Sequence, residues 1–193
     1  MLTKQGHEKK ADFSMYYIAA LCPTNTNEKV LAIKNWLKER FGCVHALKSP
    51  AHITLIAPFW WENANADSLK TWLGSFTGYK SVGVTMNGVS AFGNRTLFID
   101  VKSNIELEDL KNSIEAHFSS LSSSIIPKDT RPFHPHITLA TRDLKPRDFK
   151  VAFDHCKKLP FNYSFDLKSF ALMLLKDGKW VIMDEIEVTN PSV

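Results

Sequence analysis

The tetrapeptide His-Ile-Thr-Leu occurs twice, as His52–Leu55 and as His136–Leu139. Each copy closely follows a proline, Pro50 or Pro135, which suits a strand start. Along a strand, side chains alternate between faces, so His and Thr share one face while Ile and Leu share the other. The apolar pair can anchor each strand while the imidazole and hydroxyl project together. If the two copies meet, one site receives two imidazoles and two hydroxyls. Attack on phosphorus needs a base for the nucleophile and an acid for the leaving oxygen, and histidine fills both roles near neutral pH. The Thr54 and Thr138 hydroxyls can donate to non-bridging oxygens as charge builds there. This scheme needs no cofactor and no metal. Either histidine alone reads as a structural one; the duplication with its threonines in matching halves argues for the pair.

Neighbouring residues extend the candidate site. His134 lies two positions before His136 and so on its face, where it can contact substrate, join His136 in a metal site, or pair with a neighbour. The metal reading is the weakest, because no carboxylate or cysteine sits at ligand spacing. Arg131, in the loop before the second motif, can grip a phosphate bidentately or make a plain loop salt bridge. Phe59, Trp60 and Trp61 follow the first motif and suit either a base-stacking platform or core packing. His7, His45, His117 and His155 have no repeat partner and receive no role.

Composition bounds the rest. Among 193 residues the hydrophobic fraction is 44% and the charged fraction 23%, as in an ordinary globular domain. No apolar run approaches a membrane span, and the polar start reads as a loose tail, not a signal peptide. Cys22, Cys43 and Cys156 are scattered, which fits buried thiols in a reducing cytoplasm better than a disulfide framework. Between Lys128 and Lys158, eight Lys/Arg stand against four acids, which accounts for the whole net charge of +4. That local field suits an anionic ligand; a solvated basic face gives the same count.

The elements that must hold the motifs alternate. Strands are expected at Met15–Leu21, Ala51–Phe59 and Lys80–Phe92, then at Thr96–Val101 and His134–Ala140, and the stretches Phe161–Leu175 and Trp180–Val188 are strand-rich. A helix from Glu28 carries Val30, Ile33, Leu37 and Phe41 on one face and closes at Gly42. Leu69, Trp72, Leu73 and Phe76 mark a second helix, closed by Gly78. Ser103 and Glu106 form a capping box for a third, carrying Leu107, Leu110, Ile114, Phe118 and Leu121. A short basic helix covers Pro146–Phe153. Gly93-Asn94 marks the break between halves, and Asp177-Gly178 signals a hairpin. Strand–helix–strand–helix–strand thus appears twice, giving an α+β protein of two related lobes. Residues 1–12 read as a flexible tail and 13–193 as a single domain, with halves at about 13–93 and 94–190.

Two H-x-T-hydrophobic motifs, one per half, resemble the 2H phosphoesterase superfamily, in its LigT-like 2′-5′ RNA ligase and cyclic phosphodiesterase branch. The resemblance runs from Met15 to about Val188. It implies a bilobal pseudo-twofold fold, each lobe an antiparallel-rich sheet with helices on its outer face, and both histidines in a central cleft. It further implies hydrolysis of 2′,3′-cyclic phosphates to 2′-phosphates, in some members with reversible 2′-5′ ligation of RNA. His52 is then the acid and His136 the base. The implied partner is an RNA end or nucleotide with a cyclic phosphate or 2′,5′ linkage, met by a cytoplasmic monomer. The competing reading is a non-catalytic RNA- or nucleotide-binding module. One departure stands out: RNA-ligating relatives often carry Arg directly after H-x-T-L-A, where this chain has Thr141 followed by Arg142. A one-residue shift on a strand reverses a side chain's direction, so Arg142 contacts substrate only if the strand ends or bulges there.

Overall fold

The computed structural model of the chain describes residues 12–77, 79–121 and 132–187. Arg131 and nearly all of the expected tail lie outside the described residues. In order come β1 (Phe13–Leu21), α1 (Thr24–Phe41), a 3-10 turn (His45–Lys48), β2 (His52–Glu62) and α2 (Ala66–Gly74). Then follow β3 (Val82–Phe92), β4 (Thr96–Val101), α3 (Ile105–Leu121), β5 (His136–Ala140) and α4 (Pro146–Cys156). The last strands are β6 (Ser164–Leu167), β7 (Ser169–Lys176) and β8 (Lys179–Glu187). No helix among the described residues is long and apolar enough to cross a membrane.

Local chemistry sets the element ends. Gly42 takes a left-handed φ of 75°, and its N–H closes onto the Lys38 carbonyl at 2.8 Å. The Asp177-Gly178 pair, with φ of 49° and 74°, makes the tight turn between β7 and β8. At α3 the expected capping box is not formed. Asn104 Oδ1 accepts the Leu107 N–H at 2.8 Å, while the Ser103 hydroxyl donates to the Glu108 carboxylate at 2.7 Å. Asparagine in the position next to the helix outcompetes the serine one residue earlier.

The eight strands form one sheet in the order β6-β3-β4-β5-β2-β1-β7-β8, with each neighbouring pair antiparallel. The motif strands β2 and β5 are central neighbours, and the pseudo-twofold relation runs between them. The sheet does not divide where the chain does. One half holds β2, β1, β7 and β8; the other holds β5, β4, β3 and β6. Each repeat's third strand, β3 or β7, lies beside the first strand of the other repeat. Gly93-Asn94 is accordingly the turn of a β3–β4 hairpin that ties the halves together. The expected run Phe161–Leu175 also splits, into β6 and β7 at distant places in the sheet. They are separated by Lys168 alone. Six inter-strand spacings on a flat sheet would be about 29 Å, far beyond the reach of so short a link. The sheet must therefore curl.

The four helices cover one face. Val30 and Leu37 of α1, Leu69, Trp72 and Leu73 of α2, Leu107, Leu110, Ile114 and Phe118 of α3, and Ala152 and Cys156 of α4 share one core with Ile53, Leu55, Ile137 and Leu139. Tyr17, Ala19, Ala171 and Met173 make a second, smaller cluster on the opposite face, edged by Leu21 and Trp180. Burial on both faces explains why the centre of β1 reads as a continuous apolar run.

Candidate active site

The seam of the sheet holds the two motifs. Ile53 pairs with Ile137, and both point into the helix-covered core. Carried one residue either way, the antiparallel register sets His52 opposite Thr138 and Thr54 opposite His136, all four on the other face. The histidines are thus diagonal neighbours, and such positions lie about 7–8 Å apart, with their Cβ atoms somewhat closer. A tetrahedral phosphoryl group with a proton donor on one side and an acceptor on the other fits that span. All four side chains are partly exposed.

Each imidazole is oriented in the same way. His52 Nδ1 lies 2.8 Å from the Pro50 carbonyl oxygen, and His136 Nδ1 lies 2.8 Å from that of His134. A carbonyl only accepts, so Nδ1 carries the proton in both rings and Nε2 is left for chemistry. The Tyr17 ring packs on His52 with centroids 5.1 Å apart. Phe92 and Phe98 meet His136 edge-on at 5.1 and 5.2 Å.

The surroundings push the two rings unequally. Burial holds His52 down to about 4, the Lys34 and His136 charges push it further, and only the Pro50 carbonyl opposes them. Burial also lowers His136, and His134 adds to that effect, but the His134 carbonyl and the Asp100 carboxylate act the other way. At neutral pH both rings are neutral. A cation stands behind one and an anion behind the other.

His134 turns its side chain to a neighbour: its Nε2 donates to Asp100 Oδ1 at 3.1 Å, and Asn87 holds the other carboxylate oxygen at 3.0 Å. Asp100 itself faces His136 across the β4–β5 ladder. β5 stops at Ala140, and Arg142 sits in a turn with φ of 68°, so the alternation that would reverse it no longer applies. Burial lowers the His45 imidazole, and the exposed Arg142 side chain stands near enough to lower it further. The adjoining Asp143 accepts the Val44 and His45 N–H groups at 2.7 and 2.6 Å, pinning the end of β5 to the 3-10 turn before β2. Among the three aromatics, Phe59 and Trp61 are core residues, with Trp61 Nε1 bonded to the Asn65 carbonyl at 2.9 Å; only Trp60 is exposed. Among the described residues, no group of three or more His, Cys, Asp or Glu is arranged to hold a metal.

Asp100, Lys34 and Asn27 were not singled out from the sequence. Asp100 had a faint signal, as the one charged residue of β4, sharing a face with Phe98. Asn27 and Lys34 fall at heptad spacing with Val30 and Leu37, where apolar residues are the rule.

The family model of the 2′-5′ RNA ligase superfamily matches residues 23–179. Among solved structures, Escherichia coli LigT in complex with 3′-AMP aligns with a TM-score of 0.64 and 18% identity, over 93% of this chain and 100% of that one. TT0787 of Thermus thermophilus aligns with a TM-score of 0.63 and 17% identity, over 92% of this chain and 100% of that one. A further structure described as a phosphoesterase gives 0.62 and 19%, over 92% and 99%. At these identities the likeness is one of fold. No curated protein sequence matches the chain.

Proposed function

Because the chain belongs to the 2′-5′ RNA ligase superfamily, we propose that it is a two-histidine phosphodiesterase that opens 2′,3′-cyclic phosphates of RNA ends or nucleotides to 2′-phosphates, with reversible 2′-5′ ligation where an RNA 5′-hydroxyl attacks in place of water. The observation that carries this reading is the pair of imidazoles, diagonal across one seam, each with Nδ1 tied to a carbonyl and Nε2 free. LigT, a structural neighbour, is known in complexes with 3′-AMP, ATP and NADP+. We extend nucleotide binding to this chain.

In hydrolysis, His136 Nε2 takes a proton from water as its oxygen attacks phosphorus. The bond from phosphorus to the 3′ oxygen breaks, and that oxygen receives a proton from Nε2 of His52, which enters the step as the imidazolium, charged beside the bound phosphate. The product carries a 2′-phosphate and a free 3′-hydroxyl. One positive charge leaves His52, where Lys34 disfavours it, and arrives at His136, where Asp100 favours it. Thr54 and Thr138 donate to the non-bridging oxygens. Arg142, on the turn after β5, and Arg131 are the candidate contacts for flanking phosphates; His134 acts through Asp100 and through the carbonyl that orients His136.

Phosphorus NMR on a panel of cyclic and 2′,5′-linked substrates tests the proposal. A 2′-phosphate product is expected, and His52→Ala or His136→Ala should each slow turnover by roughly 10²-fold or more. Wild-type-like rates in either variant would remove the mechanism. Tight binding with no turnover across the panel would favour a binding module, and activity abolished by EDTA and restored by zinc would favour a metal mechanism.

A further inference from the structure

Three consecutive carbonyls ahead of His52 are each held. Lys34 Nζ donates to the Ser49 carbonyl at 3.1 Å. The next peptide, between Pro50 and Ala51, gives its N–H to Asn27 Oδ1 at 2.7 Å, while its carbonyl takes the His52 Nδ1 proton at 2.8 Å. The Ala51 carbonyl accepts the Cys22 N–H at 3.1 Å. Asn27 and His52 therefore grip opposite ends of one peptide plane. Since that plane is rigid, any rotation that frees Asn27 swings the carbonyl, and the imidazole with it.

The second motif meets the same need differently. Its orienting carbonyl belongs to the peptide between His134 and Pro135, which has no N–H to hold and whose freedom the proline ring already limits. The following carbonyl, Pro135 O, accepts the Val101 N–H at 3.3 Å, the counterpart of the Cys22 bond. What His52 has in addition comes from α1. Lys34 is 4% exposed, and its ammonium meets a carbonyl rather than a carboxylate among the described residues. A buried ammonium without a counter-ion costs stability that an apolar side chain would not.

We propose that Asn27 and Lys34 form a clamp on α1 that positions His52: Asn27 fixes the peptide plane that orients the ring, and Lys34 fixes the preceding carbonyl while setting a positive charge beside the imidazole. The meaning of the clamp for catalysis rests on the phosphodiesterase reading, but its test reads the ring itself. The groups facing His52 are Lys34 of α1, Tyr17 of β1 and His136 of β5, and the Cys22 thiol, just past β1, lies beside Lys34. Burial raises the Tyr17 phenol and the Cys22 thiol, so both stay uncharged through the neutral range.

The experiment is two-bond proton–nitrogen NMR of the ring nitrogens in the full chain, for wild type, Asn27→Ala and Lys34→Met, with kcat and KM measured alongside. In wild type both rings should show a single tautomer with the proton on Nδ1. Asn27→Ala should mix the tautomers of His52 and leave those of His136 unchanged, lowering kcat more than it raises KM. Lys34→Met should make His52 bind its proton about tenfold more tightly or better, while the His136 midpoint stays in place. If Lys34→Met does not fold, the wild-type chain decides. Ionisation of Lys34, brought down by burial to about 8, should appear there as a second inflection in the His52 nitrogen shift. An unchanged His52 tautomer in folded Asn27→Ala would overturn the clamp. So would an unmoved His52 midpoint in folded Lys34→Met, or a missing inflection in wild type. Tautomer loss in Asn27→Ala beside a wild type that turns over no cyclic substrate would leave the clamp standing and sink the phosphodiesterase reading.

Discussion

An imidazole held near 4 by burial cannot serve as an acid at neutral pH until something charges it. The phosphate is that something, since an anion within hydrogen-bonding reach favours the imidazolium. Ligand binding must then take up a proton. The sign follows from the lowered starting point: between the free and bound midpoints, affinity rises up to tenfold for each pH unit of acidification. Calorimetric titration of a nucleoside 2′-phosphate at pH 7, in buffers of different ionisation enthalpy, is expected to show uptake of about one proton, and His52→Gln is expected to abolish it. Zero uptake in wild type would mean that the resting rings already carry the charge. At this scale the sequence displayed the His/Thr pairs because they recur. Asp100, Asn27 and Lys34 do not recur, and their value comes from what the tertiary fold brings to them: a ladder partner for Asp100, and two peptide groups for the α1 pair. For Phe59, Trp60 and Trp61 the sequence left stacking and core packing both open; Phe59 and Trp61 proved to be core, because burial is decided by the sheet and not by the run of aromatics.

Among the elements, helices and hairpins were the legible part, since their signals are local. The Gly42 stop is a case that can be measured. A Cβ there would meet nothing within 4 Å, so the only cost of Gly42→Ala is the left-handed backbone. That cost is about 1–2 kcal/mol, read from urea unfolding; no loss would mean that α1 ends by some means other than this cap. Because α1 carries Asn27 and Lys34, the same substitution should also broaden the His52 ring signals more than those of His136. The cap of α3 was misplaced by one residue because Ser103 and Asn104 are both good cap formers and only the local geometry chooses between them. The strand-rich stretch Phe161–Leu175 gave no sign of where it divides, because a single lysine is too little punctuation to mark a change of partner.

For the whole molecule, what could not be read in advance is the exchange of third strands, for pairing between distant segments leaves no periodic trace in a single chain. It has a direct consequence for stability. Residues 1–93 would leave β3 without β4 and β6, and residues 94–193 would leave β7 without β1. Expressed separately, the two fragments are expected to lack cooperative unfolding by circular dichroism, and mixed together they should recover it. Cooperative melting of either fragment alone would contradict the pairing. A further consequence lies in the join at Ile53 and Ile137. Two groups mounted on adjoining strands have a gauge set by the pitch of backbone hydrogen bonding, not by the angle of a hinge. Such a jaw does not tighten on its guest; it accepts bonds of one width, and widening it by even an ångström would mean unzipping the middle of the fabric.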